Sequence, residues 1–221
     1  MADRAVLFDL DGTLLDTLAD LADSMNRALE KRGLPTHPVD AYRHFVGDGV
    51  EILVRRAAAR ATAEDAALVA DLVADMREEY RKRWNARSRP YPGVARMLDA
   101  LTRRELPMAV LSNKPHEFTQ MCVSEFLPDW AFEVVQGVTD GVPPKPDPAG
   151  AKAVADRLQV APERVLYLGD TNTDMCTAVA AQMRPIGALW GFRDAEELTD
   201  AGAEVLLDRP EELVDLLEDD R

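Results

Sequence analysis

Nothing constrains the fold of this chain more than residues 5–17, Ala-Val-Leu-Phe-Asp-Leu-Asp-Gly-Thr-Leu-Leu-Asp-Thr. Ala5 to Phe8 carries no charge and reads as a strand buried on both faces, the habit of a parallel sheet. The run stops at Asp9 and Asp11, followed by Gly12-Thr13. Residues two apart share a face of an extended chain, so both carboxylates converge at the strand's carboxyl end. Open α/β sheets bind their ligands at that end. Two carboxylates a few ångströms apart repel unless a cation or a proton lies between them. Such a pair is too costly to be kept for packing alone.

After Asp16 the period changes. Leu18, Leu21, Ala22, Met25 and Leu29 recur at helical spacing, and Gly33-Leu34-Pro35 ends the segment. The spacing predicts a short helix over 39–46 after Pro38, a loop at Gly47-Asp48-Gly49, and a third helix with Val50, Leu53, Val54 and Ala57 on one stripe. A fourth opens near Thr62 as N-cap and carries Val69, Leu72, Val73, Met76, Tyr80 and Trp84. From Pro90-Tyr91-Pro92-Gly93 onward strands and helices alternate, the signature of a parallel sheet with covering helices. Strands are expected over 107–111, 132–135, 165–168, 185–189 and 204–207, with Pro115 opening one helix and Met175 to Met183 forming another. The expected fold class is α/β: a parallel-sheet core from residues 1–15 and 91–221, interrupted by a helical domain over 16–90.

Three later stretches depart from ordinary composition. Leu111-Ser112-Asn113-Lys114-Pro115 offers a hydroxyl and backbone N–H groups at a strand-to-helix turn, where anions are cradled. Taken alone it is equally ordinary turn chemistry. In Pro143-Pro144-Lys145-Pro146-Asp147-Pro148 the prolines hold Lys145 extended just ahead of a helix. Gly169-Asp170-Thr171-Asn172-Thr173-Asp174 repeats the pattern of a strand ending in an acid. Capping a helix needs one acid at most. Two carboxylates four residues apart suit a hard cation such as Mg²⁺, which takes oxygen ligands and keeps several waters.

These four stretches, in this order, resemble the motifs of the haloacid dehalogenase superfamily, most of whose members are Mg²⁺-dependent phosphatases. The resemblance spans nearly the whole chain and is greatest to its phosphoglycolate phosphatase-like members. It implies a Rossmann-like core with the 16–90 insertion as a cap. It also implies that Asp9 is the nucleophile that forms an aspartyl-phosphate. Asp11 would serve as general acid and base, its carbonyl on the metal; Ser112, Asn113 and Gly12 would receive the phosphoryl group. Lys145 would neutralise nucleophile and phosphate, with Asp9, Asp11, Asp170 and Asp174 around Mg²⁺. Arg55, near the Gly47-Asp48-Gly49 loop, would meet a substrate carboxylate bidentately. The dehalogenases lack the second aspartate, so Asp11 speaks for phosphate chemistry.

The expected activity is hydrolysis of a small phosphomonoester, 2-phosphoglycolate being the best single choice. A β-phosphoglucomutase-type isomerase and a pyrophosphatase share the same parts. A receiver-type signalling module also clusters aspartates, a hydroxyl and a lysine, but has no place for a helical insertion after its first strand. A formal charge of −14 argues against nucleic acid as a partner. The basic run Arg81, Lys82, Arg83, Arg87 and Arg89 suits a helix end instead. No run is apolar enough for a membrane span, and a cytoplasmic monomer or homodimer is expected. Cys122 and Cys176 form no metal or redox motif and are expected to be reduced, buried and inert. His37, His44 and His116 show no metal spacing. Trp190-Gly191-Phe192-Arg193 is read as a packing loop.

Overall fold

The computed structural model describes residues 4–63 and 65–219. It begins with β1 (Ala5–Phe8), β2 (Leu15–Asp16), α1 (Leu18–Lys31), a 3-10 turn (Val39–His44), α2 (Val50–Ala57), α3 (Ala59–Thr62), α4 (Ala66–Arg81) and β3 (Arg89–Pro90). Next come α5 (Val94–Arg103), β4 (Met108–Pro115), α6 (His116–Phe126), β5 (Val134–Val138) and α7 (Ala149–Leu158). A second 3-10 turn (Pro162–Arg164) precedes β6 (Val165–Gly169), α8 (Asn172–Ala181), β7 (Arg184–Ala188), α9 (Ala195–Asp200), β8 (Val205–Leu207) and α10 (Glu212–Asp219). Two compact units result: Met1–Leu15 with Pro90–Arg221, and Asp16–Arg89.

The first unit is an α/β fold built on a six-stranded parallel sheet of order β5-β4-β1-β6-β7-β8. β1 is fully buried in the middle, which is why its sequence lacks the alternation of a half-exposed strand. Phe8 lies beside Val110 of β4 on one side and Leu168 of β6 on the other. The strand order reverses direction at β1, and a sheet of this kind opens its ligand crevice at such a switch point. Ala5, Leu7, Ala109, Leu111, Val165 and Tyr167 form one buried cluster with Ala151, Val154, Ala155 and Leu158 of α7 and Ala178 and Ala181 of α8. Phe132 falls just before β5, not within it, and packs edge-on against Phe8 at 6.4 Å between centroids.

Several boundaries differ from the sequence reading, each for a local reason. β4 continues past Leu111 because pairing with β5 resumes, after a register shift, at Pro115 beside Val138. Pro115 is therefore the extended N-cap of α6 and His116 is its first residue. α8 opens at Asn172, ahead of Met175, because Thr171 and Asp174 form a reciprocal capping box. In the second unit Thr62 does not cap α4: it closes α3, with its hydroxyl on the Ala58 carbonyl. Asp65 caps α4 by accepting the Leu68 N–H, and α4 ends at Arg81, short of Trp84.

The second unit is helical. α1 buries Leu18, Leu21, Ala22, Met25, Ala28 and Leu29 and packs on α4, which buries Val69, Leu72, Met76 and Tyr80. Asp75 on α4 accepts from Lys31 Nζ at 2.5 Å and Arg32 Nε at 2.7 Å. Asp20, 1% exposed, accepts the N–H groups of Arg87 (2.9 Å) and Ser88 (2.8 Å) and the Ser88 hydroxyl (2.8 Å). The basic run is spent on acids: Lys82 on Glu78 and Glu79, Arg83 on Glu79, Arg87 on Asp23, Arg89 on Asp16. Among the described residues no helix is long and apolar enough to cross a membrane. Cys122 is buried as expected, but Cys176 is exposed on α8, whose buried side is formed by Thr173, Asp174, Met175, Thr177, Ala178 and Ala181.

Candidate active site

β1 and β6 run side by side in the same direction, so their carboxyl ends coincide. The Asp9 N–H donates to the Leu168 carbonyl at 2.9 Å, and Asp170 follows Gly169 at the end of β6. Asp174, in the first turn of α8, completes the group. Carboxylate oxygens of Asp9, Asp170 and Asp174 lie within 4.8 Å of one another, and all three residues are buried. Gly169 is required here, because a Cβ in its place would stand 2.3 Å from the Asp174 Cβ.

Each acid is held by other groups. Asp170 Oδ1 accepts from the Thr13 hydroxyl and Oδ2 from the Phe192 N–H, both at 2.8 Å. The loop carrying Phe192 is anchored through Trp190 Nε1, which donates to the Thr13 carbonyl at 2.9 Å. Asp174 Oδ2 accepts the Thr171 hydroxyl at 2.6 Å and N–H at 3.1 Å, while Oδ1 takes Lys145 at 2.6 Å and the Tyr167 hydroxyl at 3.4 Å. The Trp190–Arg193 loop thus does more than pack: it supplies a donor to a cluster carboxylate.

Lys145 reaches the cluster from the loop before α7. Its Nζ donates to Asp9 Oδ1 at 2.8 Å, Asp174 Oδ1 at 2.6 Å and the Leu111 carbonyl at 3.1 Å. Asn113 fixes the Lys145 backbone: Nδ2 donates to the Lys145 carbonyl at 3.0 Å and Oδ1 accepts its N–H at 2.8 Å. Ser112 is buried, and its Oγ accepts the Lys114 N–H at 3.2 Å. The Asp11 side chain does not join the three-acid group. It is gripped by Lys114, whose Nζ stands 2.8 Å from both carboxylate oxygens. Gly12, with φ +94°, turns the chain so closely that a Cβ would stand 2.2 Å from Asp170 Oδ2. Arg55, in the helical unit, is exposed and bound to Glu51 one turn earlier at 2.9 Å; neighbouring Arg56 pairs with Asp48.

Burial drives the electrostatics. It pushes the Asp9 carboxyl up to about 7, with Asp174 and Asp11 adding to the rise and Lys145 opposing it. Burial and the charges of Asp9 and Asp174 hold Asp170 well above the carboxylate range, against the Phe192 and Thr13 hydrogen bonds. Burial alone would lower Lys145, but Asp174 and Asp9 hold it well above an ordinary lysine. With all four carboxylates (Asp9, Asp11, Asp170, Asp174) ionised against two ammoniums (Lys114, Lys145), two negative charges would stand in excess, which is the charge that the raised Asp9 and Asp170 carboxyls resist while no cation is bound. A divalent cation would balance them, and an oxygen-only donor set suits a hard ion. These residues therefore fit Mg²⁺. No histidine joins a potential metal group among the described residues.

Sequence reasoning passed over Lys114, Thr13, Thr171 and Tyr167 as partners of the acids. Lys114 carried a signal, since it stands two residues beyond Ser112, but a turn placed at Leu111 hid that relation. The Phe192 amide carried none, because a backbone donor has no signature in sequence.

A parallel sheet with buried acids and a lysine gathered at its switch point is a place where phosphoryl groups and hard cations are handled. The family model for haloacid dehalogenase-like hydrolases matches residues 6–188, and the chain belongs to that family. It is phosphoglycolate phosphatase-like in sequence. It is 32% identical over 207 residues to the phosphoglycolate phosphatase of Pseudomonas putida KT2440, covering 93% of this chain and 76% of that one. It is 33% identical over 216 residues to the phosphoglycolate phosphatase of Xanthomonas campestris pv. campestris, covering 95% and 94%. A crystal structure from Lactobacillus delbrueckii subsp. bulgaricus superposes with a TM-score of 0.89 at 29% identity, covering 98% of this chain and 99% of the other.

Proposed function

We propose that this enzyme hydrolyses a small phosphomonoester, 2-phosphoglycolate foremost, with Mg²⁺ bound and Asp9 as the nucleophile. The observation that carries the reading is the position of Asp9. It stands at the end of the central strand, bridged by Lys145 to Asp174, with Asp170 in the same buried group. The phosphoglycolate phosphatases among its relatives supply the substrate.

An Asp9 carboxylate oxygen attacks phosphorus and the bond to the alcohol oxygen breaks. That oxygen takes a proton from Asp11. Water then attacks the phosphoryl-Asp9, giving its proton to Asp11, and inorganic phosphate leaves. Lys145 neutralises the nucleophile and the transferring group, and the Ser112 hydroxyl and the turn at Gly12 receive phosphoryl oxygens. Asn113 serves by holding Lys145 through its peptide. Asp9 and Asp170, with the Asp11 carbonyl and Asp174 in support, would hold Mg²⁺, which would supply charge stabilisation of the transferring oxygens. Arg55 would meet the substrate carboxylate by exchanging Glu51 for it.

The test is phosphate release from 2-phosphoglycolate and from p-nitrophenyl phosphate, with Mg²⁺ and with EDTA. Chelation should abolish turnover of both and restored Mg²⁺ should recover it. Asp9→Asn should have no turnover while keeping its circular dichroism spectrum and melting temperature. Parental rates in Asp9→Asn would rule the mechanism out, and interconversion of sugar phosphates without phosphate release would point to a mutase.

A further inference from the structure

Lys114 is a buried lysine that the chemistry above does not use. Its side chain is 3% exposed, and its amine sits 2.8 Å from each oxygen of Asp11, whose side chain is 16% exposed. An ammonium centred between both oxygens of a carboxylate holds the group in place more firmly than a contact to one oxygen would. The lysine is itself held. Its N–H is on Ser112 Oγ and its carbonyl accepts the Thr119 hydroxyl at 3.2 Å. It also lies in β4, the strand beside β1. The clamp therefore stands on the sheet and not on a mobile loop.

We propose that Lys114 is the positioning residue for Asp11, setting where that carboxyl meets the leaving oxygen. This rests on the reading of Asp11 as the acid and base of a phospho-Asp9 reaction. Lys114 touches neither phosphorus nor the leaving group in this role. Its absence should be felt in proportion to how much the departing oxygen needs a proton. A phenolate, basic at about pKa 10, needs Asp11 well placed; a p-nitrophenolate leaves without help.

The experiment measures kcat/KM, which reports the step that expels the leaving group, for phenyl phosphate, p-nitrophenyl phosphate and 2-phosphoglycolate at saturating Mg²⁺. Parent, Lys114→Met, Lys114→Arg and Asp11→Asn enzymes are compared. Lys114→Met should lose about thirtyfold on phenyl phosphate but stay within about threefold on p-nitrophenyl phosphate, part of the 10²–10⁴ that a whole general acid provides. Lys114→Arg, which can fork the same carboxylate, should recover most of the loss. Asp11→Asn should show the same leaving-group pattern, enlarged. Equal losses on both aryl esters, with Asp11→Asn still selective, would overturn the inference and leave the reaction standing. A loss confined to 2-phosphoglycolate would overturn it too, by assigning Lys114 to the substrate carboxylate. An Asp11→Asn enzyme with no leaving-group preference would sink the acid–base reading and this inference with it.

Discussion

Gly191 lies so tightly against Asp170 that a Cβ in its place would stand 2.2 Å from the Asp170 Cβ and 2.5 Å from Oδ2. No side chain fits there without pushing the carboxylate off its hydrogen bonds from Thr13 and Phe192. Groups that orient a metal ligand typically carry about 10–100-fold in metal affinity. Gly191→Ala should raise the Mg²⁺ concentration for half-maximal activity by about that factor, with KM at saturating metal little changed. An unaltered Mg²⁺ titration curve would show that Asp170 is not positioned by this loop.

In the helical unit the Asp20 carboxylate gathers two backbone N–H groups and the Ser88 hydroxyl in a buried place. Removing it strands those donors, and a buried donor without an acceptor costs about 1–3 kcal/mol. Asp20→Ala should therefore lose about 2 kcal/mol of unfolding free energy in urea, and Asp20→Asn, which keeps an acceptor oxygen, less. Equal stability of the alanine variant and the parent would contradict this account.

Asp75 makes stability depend on acid. Burial favours its neutral form, but hydrogen bonds from Lys31 and Arg32, with their charges, outweigh burial and hold the carboxyl below its ordinary 3.8. A depressed folded value means stabilisation fully present above the unfolded pKa and lost as pH falls through the folded one. Asp75→Asn should thus melt below the parent at pH 7, and the gap should close at pH values under about 3.8. Melting curves from pH 7 down to pH 2.5 measure it. A gap that persists at the acid end would place the effect in packing instead.

The pattern of acids was legible because each stands where a strand runs out, and strands buried on both faces announce themselves as uncharged runs. Asp9 after Phe8 and Asp170 after Gly169 needed nothing more. Ser112 to Pro115 was harder. The residues that break a strand in sequence, Asn113 and Pro115, are here kept extended by pairing with β5 that resumes at Val138, a long-range interaction no local rule contains. Thr62 failed for a related reason: threonine before a helical stripe suits an N-cap, yet its hydroxyl was taken by the turn behind it and Asp65 served instead. The partners of the acids were the least legible. The Phe192 amide and the Gly191 Cα act through backbone placement, and only the closed loop shows them.

The central place of β1 has a consequence for how the protein is made. Its sheet neighbours begin at Met108 and Val165, so the stretch from Asp9 to Pro107 is synthesised before one flank of β1 arrives, and the chain must run on to Val165 before the other does. Until both arrive, an uncharged run has at least one edge open, the condition under which nascent chains associate wrongly. The acids share this timing: Asp9 meets Asp170 only once β6 has joined β1, so the buried acid group forms late in the assembly of the sheet.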